Sequence, residues 1–338
     1  MMKAFKLVQW GQPGQYVEIP KPKPGPNDVL IRMRAAGLCR SDLDMMDSQP
    51  GSQPYAASVD VNYVLGHENA GYVAELGANV TDLAVGEAVV VHHMPHCGNC
   101  RPCTDGMENH CQAFKRGAIA TGRGCGGDGA YHAVQTAVQR LKPGTSAAII
   151  GIGGLGSYGV QFVKLLSAAQ IYAVDTSEER LKVAREVGAD STVLFREDDH
   201  EGKKSGDEIM ELTQGRGVDV IIDFVGSSAT LQLAAQISRA RGRIVLVGMH
   251  PGGSLEVGWA RLATSCEFAI SLGSTRQDLR EVCDLARQGK LRIDVQKFGF
   301  DQIPEAYEKL RAGGTDGAGC YSVSELEGVW CIPEDDWL

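Results

Sequence analysis

Apolar and polar positions along the chain follow two different rhythms. Up to about residue 140 the apolar residues alternate in short runs, as half-buried strands require. Residues 29–35, 71–76 and 85–91 read this way, and residues 1–10 are strand-like. The proline-rich stretch 20–26 reads as an extended connection. Together these predict a β-rich domain over 1–140. The rhythm changes at Lys142-Pro143-Gly144. Apolar strands are predicted at 147–151, 171–175, 218–223 and 243–248, and helices at 155–167, 176–188 and 228–240. Thr176 with Glu179 forms the capping box of the second helix, and Gly188 is its stop. Repeated strand–helix units predict an α/β fold with a doubly wound parallel sheet over 141–272. A helix at 278–288 opens a segment, 273–323, assigned to a return into the first domain. The acidic tail 324–338 carries Trp330 and Trp337.

The chain of 338 residues is long enough for two domains, and 43% apolar with 22% charged residues fits a globular protein. The net charge is −9, and no block of Lys or Arg offers a footprint for a phosphate backbone, so nucleic acid is not an expected partner. No apolar run is long enough for a membrane span, and no signal-type segment is read at the start, so the expected location is cytoplasmic. In a reducing compartment ten cysteines argue for metal rather than disulfides wherever they cluster.

Gly151-Ile152-Gly153-Gly154-Leu155-Gly156 follows a predicted strand and opens a predicted helix. In that context the first glycine permits the turn, the second lets backbone approach a diphosphate, and the third lets helix and strand pack closely. Asp175 ends the next strand, where an acid hydrogen-bonds the adenosine ribose hydroxyls. A carboxylate there repels a 2′-phosphate and favours NAD, while the nearby Arg180 leaves NADP open. The plain alternative is a tight turn followed by a capping acid.

Cys97, Cys100, Cys103 and Cys111 have the close spacing that lets four thiolates face one ion. Four thiolates and no open position describe a structural zinc site. An iron–sulfur cluster also takes four cysteines. Cys39, in Gly37-Leu38-Cys39-Arg40-Ser41-Asp42, and His67, in Gly66-His67-Glu68-Asn69-Ala70-Gly71, are not identified as a site by spacing alone.

These motifs, in this order, resemble the zinc-containing medium-chain alcohol dehydrogenases, and the likeness runs from residue 2 to about 323. The resemblance implies a Rossmann domain beside a β-rich, GroES-like catalytic domain that holds a structural zinc lobe at about 95–112. It implies that Cys39 and His67 hold a catalytic zinc with Glu68 beside it, that Ser41 passes the alcohol proton outward, and that Arg40 faces the cofactor diphosphate. Asp42 would orient the Cys39 loop or a ligand. Gly151, Gly153, Gly154, Leu155, Gly156, Asp175 and Arg180 would bind NAD. Homo-dimers or homo-tetramers are expected by the same analogy, with the strand near 266–272 pairing across a two-fold axis. Tyr55, His92, His93 and Met94 are candidates for the substrate pocket, and Trp259 for the cofactor end or a subunit contact.

The sequence departs from the family at one point. Members carry a stretch between a Gly-Gly-x-x-Glu-Tyr strand and a helix like Thr-Ala-Tyr-His-Ala, and that stretch supplies a third zinc ligand. Here Gly126-Gly127-Asp128-Gly129 runs directly into Ala130-Tyr131-His132-Ala133-Val134. The third ligand stays open among Asp128, Cys125 and His132, or Glu68 completes the shell, or the site is empty. The expected function is hydride transfer between a primary or secondary alcohol, or the matching carbonyl, and NAD. The alternatives are a metal-independent reductase, a non-catalytic NAD-binding relative lacking a complete zinc site, and a redox or metal sensor built on the cysteine lobe.

Overall fold

Ten consecutive residues of β3 (Val29–Leu38) show how pattern becomes structure. Leu30, Ile31 and Met33 turn inward while Arg32 and Arg34 face solvent. The computed structural model describes residues 1–49, 63–113, 126–196, 198–199, 201–250, 252–258, 262–313, 320–324 and 330–331. The chain divides into two units. Unit 1 comprises Met1–Gly126, Thr275–Leu279 and Asp294–Leu338, and unit 2 comprises Gly127–Ser274 and Arg280–Ile293.

In chain order, unit 1 begins with β1 (Met2–Leu7), β2 (Gln15–Ile19), β3, α1 (Arg40–Asp47), β4 (Tyr63–Val64), β5 (Glu68–Leu76), β6 (Ala88–Val90) and α2 (Arg101–Thr104). Helix α3 (Gly126–Gln135) lies in unit 2 from its second residue on, and unit 2 supplies β7 (Ser146–Ile150), α4 (Gly154–Leu166), β8 (Gln170–Asp175), α5 (Glu178–Glu186) and β9 (Ser191–Leu194). It continues through α6 (Lys203–Leu212), β10 (Val218–Asp223), α7 (Ser228–Ile237), β11 (Ser238–Leu246) and β12 (Glu267–Ile270). Helix α8 (Arg276–Arg287) starts in unit 1 and ends in unit 2. The return consists of β13 (Val295–Phe298), α9 (Ile303–Arg311), β14 (Cys320–Ser324) and β15 (Trp330–Cys331).

Unit 1 contains the small sheet β2-β1-β4 and a larger one ordered β13-β14-β3-β5-β6. Two register shifts between β3 and β5 leave Gly37 opposite Glu68. Phe298, Ile303 and Tyr307 from the return pack with Phe5, Leu7, Ile31 and Met33, so this core closes only when the last part of the chain comes back.

Unit 2 is a six-stranded parallel sheet ordered β12-β11-β10-β7-β8-β9. Parallel strands covered on both faces read as continuous apolar runs, and all of β7 and nearly all of β8 and β10 are buried. The order reverses between β7 and β10, which places a crevice at their carboxyl ends.

Three expected boundaries move. The helix expected at 228–240 ends at Ile237, because Ser238 pairs with Val218 and starts β11 while its hydroxyl bonds the Ala235 carbonyl at 2.9 Å. The cap of α5 is Ser177 rather than Thr176: its Oγ accepts from the Arg180 amide at 3.4 Å and donates to Glu179 at 2.9 Å. The strand expected at 85–91 narrows to Ala88–Val90, since Gly86 sits in a turn with φ +89°. Among the described residues, no helix is long and apolar enough to cross a membrane.

Ile221 lies at the centre of β10 with 0% exposure. Ile221→Ala is expected to destabilise the unit-2 unfolding transition by about 2–5 kcal/mol in urea titration. A loss under about 1 kcal/mol would contradict a close-packed central strand.

Candidate functional site

Unit 1 brings Cys39, Ser41, Asp42, His67 and Glu68 together. Cys39 leaves β3 in an extended conformation and caps α1. The Asp42 side chain, 1% exposed, accepts the Cys39 amide through Oδ2 at 3.0 Å and the Gly66 amide through Oδ1 at 3.3 Å. The same Oδ1 accepts a hydrogen bond from His67 Nδ1 at 3.0 Å. One buried carboxylate therefore fixes both loops and the imidazole. That contact leaves Nε2, 3.2 Å from Ser41 Oγ, as the nitrogen that could hold a metal. Burial opposes a charge on His67, but the Asp42 carboxylate and the Cys39 sulfur outweigh it and hold the imidazole well above its usual range. A cation between Cys39 and His67 would take the place of that proton. Glu68 folds over the neighbouring strand: a Cβ on Gly37 would lie 2.2 Å from Glu68 Oε2. A thiol and an imidazole are donors that suit zinc, and Glu68 is the residue after His67. Arg40 is the exposed first residue of α1.

Of the three candidates for a further ligand, Cys125 lies outside the described residues. Asp128, 0% exposed in α3, accepts the Ser274 hydroxyl at 2.6 Å within unit 2. His132 is buried one turn further along the same helix. His92 and His93 are half-buried in the loop after β6 with ring centroids 5.5 Å apart, and Met94 beside them is buried. Tyr55 and Trp259 lie outside the described residues.

The cysteine lobe, also in unit 1, is drawn together by its backbone. The sulfurs of Cys97, Cys100, Cys103 and Cys111 all lie within 4.8 Å of one another. Cys100 is 3.4 Å from Cys103 and 3.8 Å from Cys111, and Cys111 is 3.6 Å from Cys97. Four sulfurs at the usual zinc–sulfur distance of about 2.3 Å sit roughly 3.8 Å apart, so the cage already has the size of a tetrahedral zinc shell. Amides of Gln112 and Cys103 lower the Cys100 thiol to about 6, whereas burial pushes Cys103 up to about 12. Glu108, from the same lobe, accepts both the amide and the side-chain Nε of Arg276, at 2.7 and 2.9 Å. Its buried carboxylate thus anchors the start of α8, a contact with no local signal in the sequence.

In unit 2 the three glycines differ in what constrains them. Gly151 adopts φ +85°, and a Cβ there would meet Val225 Cγ2 at 2.5 Å. A Cβ on Gly156 would lie 1.7 Å from the Gly151 carbonyl oxygen. A Cβ on Gly153 would meet nothing within 4 Å, so the turn leaves open space at the amino end of α4, where a diphosphate can approach free amides. Gly154 and Leu155 form the first turn of that helix. Asp175 turns out to brace this turn: Oδ2 accepts the Ile152 amide at 2.6 Å and Oδ1 the Ser177 amide at 2.9 Å, with Arg180 Nη1 3.7 Å away. Sequence reasoning missed Asp223, which closes β10 as Asp175 closes β8. The signal was there: an acid ending an apolar run, three residues before Gly226.

A family profile described as "Alcohol dehydrogenase GroES-like domain" matches residues 25–154, and one described as "Zinc-binding dehydrogenase" matches residues 154–288. The chain is 31% identical to an NAD-dependent alcohol dehydrogenase of Sulfolobus acidocaldarius over 347 residues, covering 94% of this chain and 98% of the relative. That alignment is longer than the 338 residues of this chain, so the relative carries residues that are missing here. An L-threonine 3-dehydrogenase of Pyrococcus horikoshii is 30% identical over 352 residues, 93% of this chain and 97% of its own. Among solved structures, an alcohol dehydrogenase of Aeropyrum pernix matches with TM-score 0.85 at 31% identity, covering 96% of this chain and 100% of that one.

Burial works to raise the Glu108 carboxyl, but the bonds from its own amide and from Arg276 prevail and hold it below its ordinary value. A depressed folded-state value stabilises above the unfolded value, and this is lost as pH falls through the folded one. The stability gap between wild type and Glu108→Gln should therefore be widest above about pH 5 and shrink on further acidification. A gap that stays constant from pH 6 to pH 3 in thermal unfolding would contradict the ion pair.

Proposed function

This chain belongs to the zinc-binding, medium-chain alcohol dehydrogenase family and is an oxidoreductase, and from that premise we propose that it transfers hydride between a primary or secondary alcohol and NAD. The observation that carries the proposal is the joint fixing of Cys39 and His67 by Asp42. Cys39 Sγ and His67 Nε2 would hold a catalytic zinc, with Glu68 beside it. We take Cys125 as the third ligand, because a pair of thiolates with one imidazole is an established set for catalytic zinc. The four sulfurs of the lobe would hold a structural zinc. The Gly151–Gly156 turn would take the diphosphate, and Asp175 with Arg180 the adenosine ribose.

When bound, zinc supplies Lewis acidity at the substrate oxygen, and NAD accepts the hydride. The residues of the chain supply the rest. With a cation in place of the second proton, Asp42 keeps the remaining proton of His67 on Nδ1, so Nε2 would present its lone pair. Ser41 accepts the hydroxyl proton of the alcohol and passes its own outward. As that proton leaves, the hydride departs from the carbinol carbon and a carbonyl remains. The carboxylate of Asp175 disfavours a 2′-phosphate, so NAD is the expected cofactor over NADP. β12 is an edge strand with Phe268 37% and Ile270 72% exposed, which supports assembly of a dimer or tetramer through this strand. Ile270→Lys should then lower the mass seen in light scattering, and an unchanged mass would exclude this edge.

Elemental analysis with NAD-dependent oxidation of an alcohol panel tests the main reading. About two zinc ions per chain, turnover lost on mild chelation, and faster reaction with NAD than NADP are expected. Cys125→Ser should reduce zinc to about one and turnover by at least about a hundredfold. Two zinc ions retained in that variant would reassign the ligand. One zinc ion in the wild type, with NAD bound and no turnover, would favour the second reading, a non-catalytic relative, which the residues missing against the Sulfolobus relative already motivate.

A further inference from the structure

All six strands of unit 2 run parallel, so their carboxyl ends form one edge. Along it, β8 with Asp175 lies on one side of β7 and its glycine turn, and β10 lies on the other. A dinucleotide with its diphosphate on that turn and its adenosine ribose toward Asp175 must carry its nicotinamide half over the end of β10. This path for the nicotinamide half rests on the proposed binding of NAD.

Asp223 ends β10, and its side chain is fully buried. Its Oδ1 accepts the amides of Val225 at 2.8 Å and Gly226 at 3.0 Å. Its carbonyl oxygen accepts the amides of Val247 at 2.8 Å and Gly248 at 3.0 Å, beyond β11. One residue thus fastens two turns at the same edge. Its Oδ2 has no hydrogen-bond partner among the described residues. The neighbouring Thr230 hydroxyl donates to the Ser227 carbonyl at 3.0 Å. Burial pushes the Asp223 carboxyl up, although the two amide bonds and the nearby Thr230 hydroxyl oppose this. Buried polar groups in such a state are uncommon in folded chains and mark places where something other than packing sets the choice of residue.

The turn held by Asp223 has no slack. A Cβ on Gly151 would lie 2.5 Å from Val225 Cγ2, one on Gly248 would lie 2.2 Å from the Val225 carbonyl carbon, and one on Gly226 would lie 2.3 Å from the Gly248 carbonyl oxygen. Val225 is therefore wedged between the glycine turn after β7 and the turn after β11. Its position sets the floor on the side of β7 away from Asp175. We infer that Asp223 is a positioning residue for the nicotinamide half of the cofactor, acting through the 224–226 turn that its carboxyl holds between Gly151 and Gly248.

Binding titrations with NADH and with ADP-ribose, which lacks the nicotinamide, test this on the intact chain. Asp223→Ala is expected to weaken NADH by at least about tenfold while ADP-ribose stays within about threefold. Asp223→Asn keeps an acceptor for the two amides and should restore NADH to within about threefold of wild type. Equal weakening of both ligands would reduce Asp223 to a structural role, and no weakening of either would also overturn the inference. Should Asp223→Ala fail to fold, Val225→Ala removes the wedge with the hydrogen bonds intact. It should show the same selective loss of NADH, and unchanged binding of both ligands would refute the proposal. Wild-type protein that binds neither ligand would sink the NAD reading itself, and this inference with it.

Discussion

A backbone amide that turns away from its strand or helix must find an acceptor, and in this chain buried carboxylates meet that demand at the places that matter. Asp42 takes the amides of Cys39 and Gly66. Asp175 takes those of Ile152 and Ser177, Asp223 those of Val225 and Gly226, and Asp199 those of Lys204 and Ser205. Each acid sits where one element gives way to the next. Without them the turns would carry unsatisfied donors inside the fold, and the side chains displayed on those turns would lose their bearings.

That constraint explains which parts of the fold were legible in the sequence. The strands of unit 2 were, because a sheet covered on both faces writes itself as unbroken apolar runs such as 147–150 and 220–222. The cysteine lobe was, because its spacing is short enough for sulfurs to converge without help from the rest of the chain. Helix ends were less so. The end of α7 depends on Ser238 finding Val218 in a neighbouring strand, a partner twenty residues earlier that no local window contains. The cap of α5 turned on which of two adjacent hydroxyls the backbone presents inward.

The candidate site was legible in its members and not in its wiring. Cys39, Ser41, His67 and Glu68 were named from motifs, and the chain does bring them to neighbouring loops of unit 1. The geometry that gives them direction comes from Asp42, whose three contacts span residues 39 to 67. Glu108 and Arg276 meet across 168 positions of sequence, a distance at which composition and periodicity carry no information. Asp175 was expected to face a ribose, and both of its oxygens accept backbone amides of the glycine turn and of the next helix, a duty that the motif alone does not announce.

The glycines after β7 separate these two obligations. At Gly156 any side chain would collide with the chain's own carbonyl, and at Gly151 the backbone conformation and Val225 impose a similar limit. A descendant of this chain that stopped handling nucleotides would still have to keep both. Gly153 is different: no described residue would touch a Cβ placed there. The retention or loss of that one position across a lineage would record whether the turn is still in use, while its two neighbours record only that the sheet still folds.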